Sequence, residues 1–414
     1  MKKAKRTAAA AAAFLLLLLS ASGIDPAAGT VPGVQGVLPS FAARRVSAWI
    51  GQAPAEAESP LSQTASPEER LSGMSLREKV GQMFFVCPEA LTASEENAGA
   101  YALSEEMRET LQDYPAGGIV LFSDNIQDPD QLRALTRDLQ QASAIPLFIG
   151  ADEEGGKVVR IASAPGFSVT QFPLLPELAA EGGTEAVREM GRTLGGYLQE
   201  YGVNTDFAPV ADVADPDQTN IVSDRAFGTD PQEVSELVTA EIEGLHETGT
   251  LTCAKHYPGH GSAAEDTHES MGHIPKTWEE LRQSDLLPFA AAVSAGTEFI
   301  MTGHLVVEDT GEEETPASLS PFLVSEKLRG ELGYTGIIIT DSLSMGAITE
   351  SYDSASAAVL AVKAGNDMLL MPEDYTDAFN AVLEAVENGE ISEARIDESA
   401  RRILQAKAKA GLLQ

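Results

Sequence analysis

Short apolar runs that recur along most of the chain, with helical spacing between them, restrict its possible folds more than any other feature. The runs cover residues 82–87, 118–122, 146–150, 203–213, 251–255, 298–302, 336–340 and 367–371, eight in all. Between them lie "PDQLRALTRDLQQAS", "GTEAVREMGRTLGGYLQEYG", "DPQEVSELVTAEIEGLHETG" and "TDAFNAVLEAVENGE", whose apolar residues repeat at three- and four-residue intervals. A strand that is apolar throughout must be covered on both faces, and strands that alternate with helices pair in parallel. Eight such units predict a single (β/α)8 barrel over residues 66–414.

A barrel of this kind presents catalytic side chains just past the C-terminal ends of its strands. Polar residues cluster there: Asp152-Glu153-Glu154 after "PLFIG", Asp206 and Asp212 within "VNTDFAPVADV", Lys255-His256 after "LTCA", His304 after "FIMTG" and Asp341 after "GIIIT". None of these clusters stands at the start of a run.

The ends of the chain and its bulk composition set further bounds. Met1-Lys2-Lys3-Ala4-Lys5-Arg6 precedes an unbroken apolar run from Ala8 to Leu19 and then small residues, which predicts a secretory signal over residues 1–23. The run is too short for a typical membrane span of about twenty residues, so membrane attachment is expected only if the signal stays on as an anchor. Residues 24–65 are rich in Ala, Gly, Pro, Ser and Glu, with one short possible helix near 41–50; they read as a disordered tether. Folded sequence is expected from Ser66, with Ser75 capping a helix ahead of Glu78. The formal charge of −35 and the lack of clustered Lys or Arg speak against a nucleic-acid partner. Cys87 and Cys253, both in apolar runs, read as buried packing residues rather than a disulfide framework.

Several residues could carry chemistry, each with a plainer alternative. Asp341 in "TGIIITDSLSMGAI" could attack an electrophilic carbon from a rigid strand end, or could cap the following helix together with Ser342. Asp266 and His268 in "EDTHES" have the spacing by which a carboxylate fixes an imidazole tautomer for proton transfer; taken alone, a solvated loop is the commoner meaning. His256, His260 and His268 could ligate a metal, but Pro258, Gly259 and Gly261 leave no preset ligand geometry, and no metal or other cofactor is expected. A serine hydrolase finds no Gly-x-Ser-x-Gly elbow after any run. In "ADEEGGKVVR" three consecutive acids around a Gly-Gly turn oppose phosphate binding.

Taken in order, "DEEGGKVVR", "NTDFAPVADV", "SDRAFG", "KHYPGHGSAAEDTH" and "ITDSLSM" resemble glycoside hydrolase family 3, and the Lys-His-x-Pro-Gly-His-Gly segment running on to Asp-x-His resembles its bacterial β-N-acetylglucosaminidase branch. The resemblance implies Asp341 as nucleophile, His268 as general acid/base and Asp266 as the group that orients His268. It also implies that Asp152, Arg160, Arg225, Lys255 and His256 hold the sugar. The activity implied is a retaining, exo-acting β-N-acetylglucosaminidase with an N-acetylglucosamine-terminated glycan or muropeptide as substrate. Members of the wider family that are β-glucosidases carry a second domain with an acidic acid/base residue, whereas this chain ends soon after its eighth run. Relatives with the same histidine that transfer to phosphate are phosphorylases, and that acceptor stays open. Cytosolic relatives recycle muropeptides; the predicted export signal implies action outside the membrane. From other classes, a metal-dependent hydrolase built on the histidines and a non-catalytic glycan-binding barrel remain alternatives.

Overall fold

A computed structural model describes residues 66–413 except 93–98, 218, 309 and 313. The predicted signal, the tether and its possible helix near 41–50 therefore lie outside the described residues. Among the described residues no helix is long and apolar enough to cross a membrane.

The first described helices follow from local chemistry. "SPEERLSGMSLREKVGQM" forms two helices rather than one, Pro67–Gly73 and Leu76–Gln82. Each opens with a capping box, Ser66 with Glu69 and Ser75 with Glu78, in which the serine side chain accepts a backbone N–H while the glutamate reaches back to the cap. Longer helices begin the same way: Asp128 caps Pro129–Ala142 and Asp230 caps Pro231–His246, each followed by a proline whose missing N–H needs no partner at that position.

The strands are β1 (Phe84–Val86), β2 (Gly118–Leu121), β3 (Phe148–Ala151), β4 (Thr205–Asp206), β5 (Leu251–Tyr257), β6 (Gly272–Thr277), β7 (Phe299–Thr302), β8 (Leu305–Glu308), β9 (Ile337–Thr340) and β10 (Leu369–Leu370). Eight of them form one parallel sheet in the order β10-β1-β2-β3-β4-β5-β7-β9, and a parallel bridge from Ile339 to Met368 brings its two edges together. The result is the expected barrel, nearly closed, with helices around it. Six barrel strands fall inside the apolar runs, while β3 and β5 start within theirs and run past the end by one and two residues.

Side chains alternate across the barrel wall. Phe84 points outward onto Tyr375 and Phe379 of helix Tyr375–Glu387, with ring centroids 5.4 and 5.6 Å away. Its neighbour Phe85 packs with Phe148 and Phe207. Gly118 and Gly150 on the adjoining strands make room for that ring, since a Cβ on either would come within 2.7 and 2.9 Å of it. At the opposite end from the strand C-termini, the buried carboxylate of Asp367 accepts from Arg329, Arg402, Ser399 and the Ile338 N–H. That end is a structural base.

Four details differ from expectation. The run 203–213 is buried throughout, yet only Thr205 and Asp206 form regular strand, with Val210 making one further parallel bridge to Lys255. Beside the barrel, β6 and β8 form a separate two-stranded parallel sheet, and β6 closes the loop that carries His268. The helix Leu175–Glu200 is interrupted at Gly183, where φ is 57°. Cys87 is half-buried rather than buried, whereas Cys253 is buried as expected; both are free thiols.

Candidate active site

The C-terminal strand ends open onto a cavity of about 420 Å³. Asp341, His268, Asp152, Arg160, Arg225, Lys255 and His256 all line it. Asp266, the remaining residue singled out from sequence, stands behind His268 and hydrogen-bonds to it.

The three consecutive acids after β3 have different sets of partners, with Lys255 shared by the first and third. Lys255 Nζ lies 2.7 Å from Asp152 Oδ1 and 2.7 Å from Glu154 Oε1. Asp152 also accepts from Arg160 at 3.1 Å, and Glu154 takes a two-pronged contact from Arg225 at 2.9 and 2.6 Å. Glu153 turns away and accepts the N–H groups of Arg160, Ile161 and Ala162 and the Tyr197 hydroxyl. The Gly155-Gly156 turn makes this possible, since both residues have positive φ, 77° and 59°, which side-chain-bearing residues rarely adopt. It folds Arg160 back beside Asp152.

Charge follows geometry here. Burial would raise the Asp152 and Glu154 carboxyls, but Lys255 together with Arg160 and Arg225 holds both well below the ordinary carboxylate range. Burial would likewise lower Lys255, and its two carboxylates instead push it up. Asp152, Glu154 and Lys255 are thus held as ions in one largely buried patch, with Arg160 and Arg225 paired against the two carboxylates, which fixes the positions of all five side chains.

Asp341 sits directly after β9, its N–H donating to Thr302 O at 2.8 Å. It is not a helix cap: its Oδ1 accepts the N–H of Ser342 at 2.7 Å, and the next helix, Gly346–Thr349, begins later, with Met345 at its cap. Burial works against ionisation of Asp341, yet His256, the Ser342 N–H and Lys255 together keep its carboxyl below the usual value. It is an anionic carboxylate held at a cavity wall.

Two histidines hold this region in place. His256 Nδ1 donates to Asp212 Oδ2 at 2.7 Å, and Asp212 Oδ1 accepts the backbone N–H of both His256 and His260. His304 is fully buried, with Nε2 2.8 Å from Ser342 O and Nδ1 2.8 Å from Ser318 Oγ. A carbonyl only accepts, so Nε2 carries the proton toward Ser342, and burial holds His304 below its usual pKa and hence neutral. Nδ1 then accepts from Ser318. His304 thereby pins the backbone immediately after Asp341.

His268 is different in kind. Its side chain is 65% exposed, and its Nδ1 donates to Asp266 Oδ1 at 2.8 Å, which leaves Nε2 free to exchange a proton at the cavity rim. The His268 N–H donates to the same oxygen at 2.9 Å. His256, His260 and His268 each have a separate oxygen partner, and among the described residues no group of three or more His, Cys, Asp or Glu side chains is placed to hold a metal.

The strand-end rule flagged Glu154, Asp212 and His304 but gave none of them a role, because position along the chain could not supply their partners.

The decisive comparison is with a family model, the glycosyl hydrolase family 3 N-terminal domain, which matches residues 75–406. The chain belongs to glycoside hydrolase family 3. A β-hexosaminidase of Tolumonas auensis is 35% identical over 293 residues, 70% of this chain and 86% of that protein. One from Idiomarina loihiensis is 36% identical over 278 residues, covering 67% and 82%. Among solved structures, a family 3 β-N-acetylglucosaminidase from Paenibacillus sp. str. FPU-7 superposes with a TM-score of 0.74 at 34% identity. That match covers 82% of this chain but 63% of the Paenibacillus protein, so this chain spans less than two thirds of its length. The family's barrel accounts for the fold reported above.

Proposed function

We propose that this glycoside hydrolase is a retaining, exo-acting β-N-acetylglucosaminidase. The observation that carries the reading is the pairing of an ionised Asp341 at the cavity wall with the His268–Asp266 pair at the rim of the same cavity. Asp341 attacks the anomeric carbon while protonated His268 donates from Nε2 to the departing oxygen. The bond to the aglycone breaks, and a glycosyl ester forms on Asp341. Water then gives its proton to the now neutral His268 and displaces the carboxylate, so two inversions leave the configuration unchanged. Histidine suits a group that must act first as acid and then as base near neutral pH.

Asp152, Arg160, Arg225, Lys255 and His256 bind the sugar in this reading. The cavity, about 420 Å³, lies toward the small end of ligand pockets, which favours removal of one terminal residue. Water is favoured over phosphate as acceptor because Lys255, Arg160 and Arg225 already carry carboxylate partners, leaving little free positive charge for a second anion. The basic start and apolar run of residues 1–23 favour an exported enzyme acting on peptidoglycan fragments or related glycans.

The test is release of nitrophenol by the full chain from the β-N-acetylglucosaminide and the β-glucoside, with and without phosphate and EDTA. Preference for the acetamido sugar, independent of phosphate and chelator, supports the reading. Preference for the glucoside, or a requirement for phosphate or for a chelatable metal, overturns it.

A further inference from the structure

The imidazole of His268 is not itself hydrogen-bonded to the barrel. Its side chain and its own N–H both go to Asp266, two residues away on the same loop, and both side chains are well exposed, 65% and 40%. These bonds orient the imidazole within the loop but do not set its distance from Asp341. Something else must do so if His268 and Asp341 are to act on the two ends of one bond.

Between them, Thr267 behaves in the opposite way: it is 1% exposed. Its Oγ1 lies 3.2 Å from Nε2 of His260, a ring that is itself 1% exposed and whose backbone N–H is fixed on Asp212, the carboxylate that also holds His256. On the other side, the Thr267 and His268 carbonyls accept the N–H groups of Ala347 and Gly346, at 3.4 and 3.1 Å. Gly346 belongs to the segment that leaves β9 through Asp341, and Leu343 ties that segment to Leu370 O at 2.9 Å. The loop lies so close at this point that a Cβ on Gly346 would sit 2.5 Å from Glu269 O and 2.9 Å from His268 O.

We propose that Thr267, with His260 behind it, and Gly346 are positioning residues that dock the acid/base loop onto the nucleophile's own segment. The inference rests on the reading of His268 as acid/base. One anchor connects the loop to the sugar-binding side through His260 and Asp212; the other connects it to the backbone that carries Asp341. Together they convert an exposed histidine into one at a defined height above the cavity.

The test compares kcat/KM, which reports the glycosylation half-reaction, on a β-linked N-acetylglucosamine disaccharide and on the nitrophenyl glycoside, whose acidic leaving group needs little protonation. Thr267→Val keeps the shape and removes the hydroxyl; Gly346→Ala forces the loop away. Each is expected to lower kcat/KM on the disaccharide by about 10- to 100-fold, the order of loss for misplacement by about an ångström. On the nitrophenyl substrate the loss should stay within about 3-fold, since general acid catalysis supplies roughly 10²–10⁴-fold where it is needed. Thr267→Ser should recover the disaccharide activity. Equal losses on both substrates, no loss on either, or failure of Thr267→Ser to recover would overturn the proposal. Should Gly346→Ala fail to fold, the Thr267→Val and Thr267→Ser pair decides alone. His268→Ala, run alongside, separates the two levels: if it spares the nitrophenyl substrate, the acid/base reading stands whatever the anchors do. If it slows both substrates equally, that reading falls and takes the docking proposal with it.

Discussion

Replacing Glu154 with glutamine is the sharpest test of the buried charge network, because the change is isosteric and removes one charge. In the wild-type chain two carboxylates, Asp152 and Glu154, face Lys255, Arg160 and Arg225. In Glu154→Gln one carboxylate faces the same three cations. Glu154 is 1% exposed, so solvent does little to screen the imbalance. Three of its contacts are lost or weakened: Lys255 at 2.7 Å and both prongs of Arg225. Removing one partner of a buried ion pair costs about 3–5 kcal/mol, because the remaining charge stays buried without compensation. At about 1.4 kcal/mol per decade that is a loss of roughly 10²- to 10³-fold or more in the folding constant. The pH dependence supplies a second check. The folded-state carboxyl of Glu154 lies below its unfolded value, so its contribution is fully present above the ordinary glutamate pKa and is lost only as pH falls through the depressed folded value. Between about pH 5.5 and 8 the difference between variant and wild type should therefore be flat. The assay is urea unfolding followed by far-ultraviolet circular dichroism, with KM for the aryl glycoside measured in parallel and expected to rise as Lys255 and Arg225 lose their anchor. A stability loss under about 1 kcal/mol, or one that varies across that pH window, would refute the assignment of Glu154 as the group that holds the two cations.

Three further outcomes are expected. Asp341→Ala should abolish turnover on all substrates while leaving the unfolding midpoint near wild type, since its side chain lines a cavity and packs no apolar core; activity within about tenfold of wild type would remove it as nucleophile. Glu241 on helix Pro231–His246 is fully buried, neither of its carboxyl oxygens has a hydrogen-bond partner, and burial followed by the nearby Glu154 charge raises its pKa well above the usual value. The unfolded chain releases this proton at the ordinary pKa while the folded chain retains it, so wild-type stability falls as pH rises above about 4.5, and Glu241→Met should gain about 1–3 kcal/mol at pH 8 with a smaller gain at pH 5; a lower melting temperature at pH 8 would show that the carboxyl has a partner. Burial, then the Glu89 charge, pushes the Cys87 thiol up to about 11, and Cys253 is fully buried, so the folded protein should react with a thiol reagent at pH 7.5 much more slowly than the urea-unfolded chain; rapid labelling of either cysteine in the native protein would contradict this.

The barrel was legible in the sequence because parallel strands covered on both faces leave a strong mark, an apolar run such as "GIIIT" that no exposed segment would carry. The β6–β8 pair left none. Gly272–Thr277 alternates buried and exposed positions and contains Pro275, which argues against a strand, while Leu305–Glu308 reads as the tail of β7. The run 203–213 shows the converse: burial made it apolar, but Pro209 has no N–H to give a ladder, so regular strand covers two residues and pairing resumes only as a single bridge from Val210 to Lys255. The same division runs through the site. Asp341, Asp152, Lys255 and His256 could be picked out because each stands at the end of a run, a property local to the chain. The separate role of Glu154 could not be read, because within "DEEGG" it looks like its two neighbours, and what distinguishes it is Lys255, 101 positions on by number, and Arg225, 71 residues away. The roles of His304 and Thr267 were hidden for the same reason: each acts through a partner that only the closed barrel brings near, Ser342 for one and His260 with the Gly346 segment for the other. Position along a strand thus identifies the groups that can touch substrate, while the groups that hold them in register are defined by contacts across the barrel.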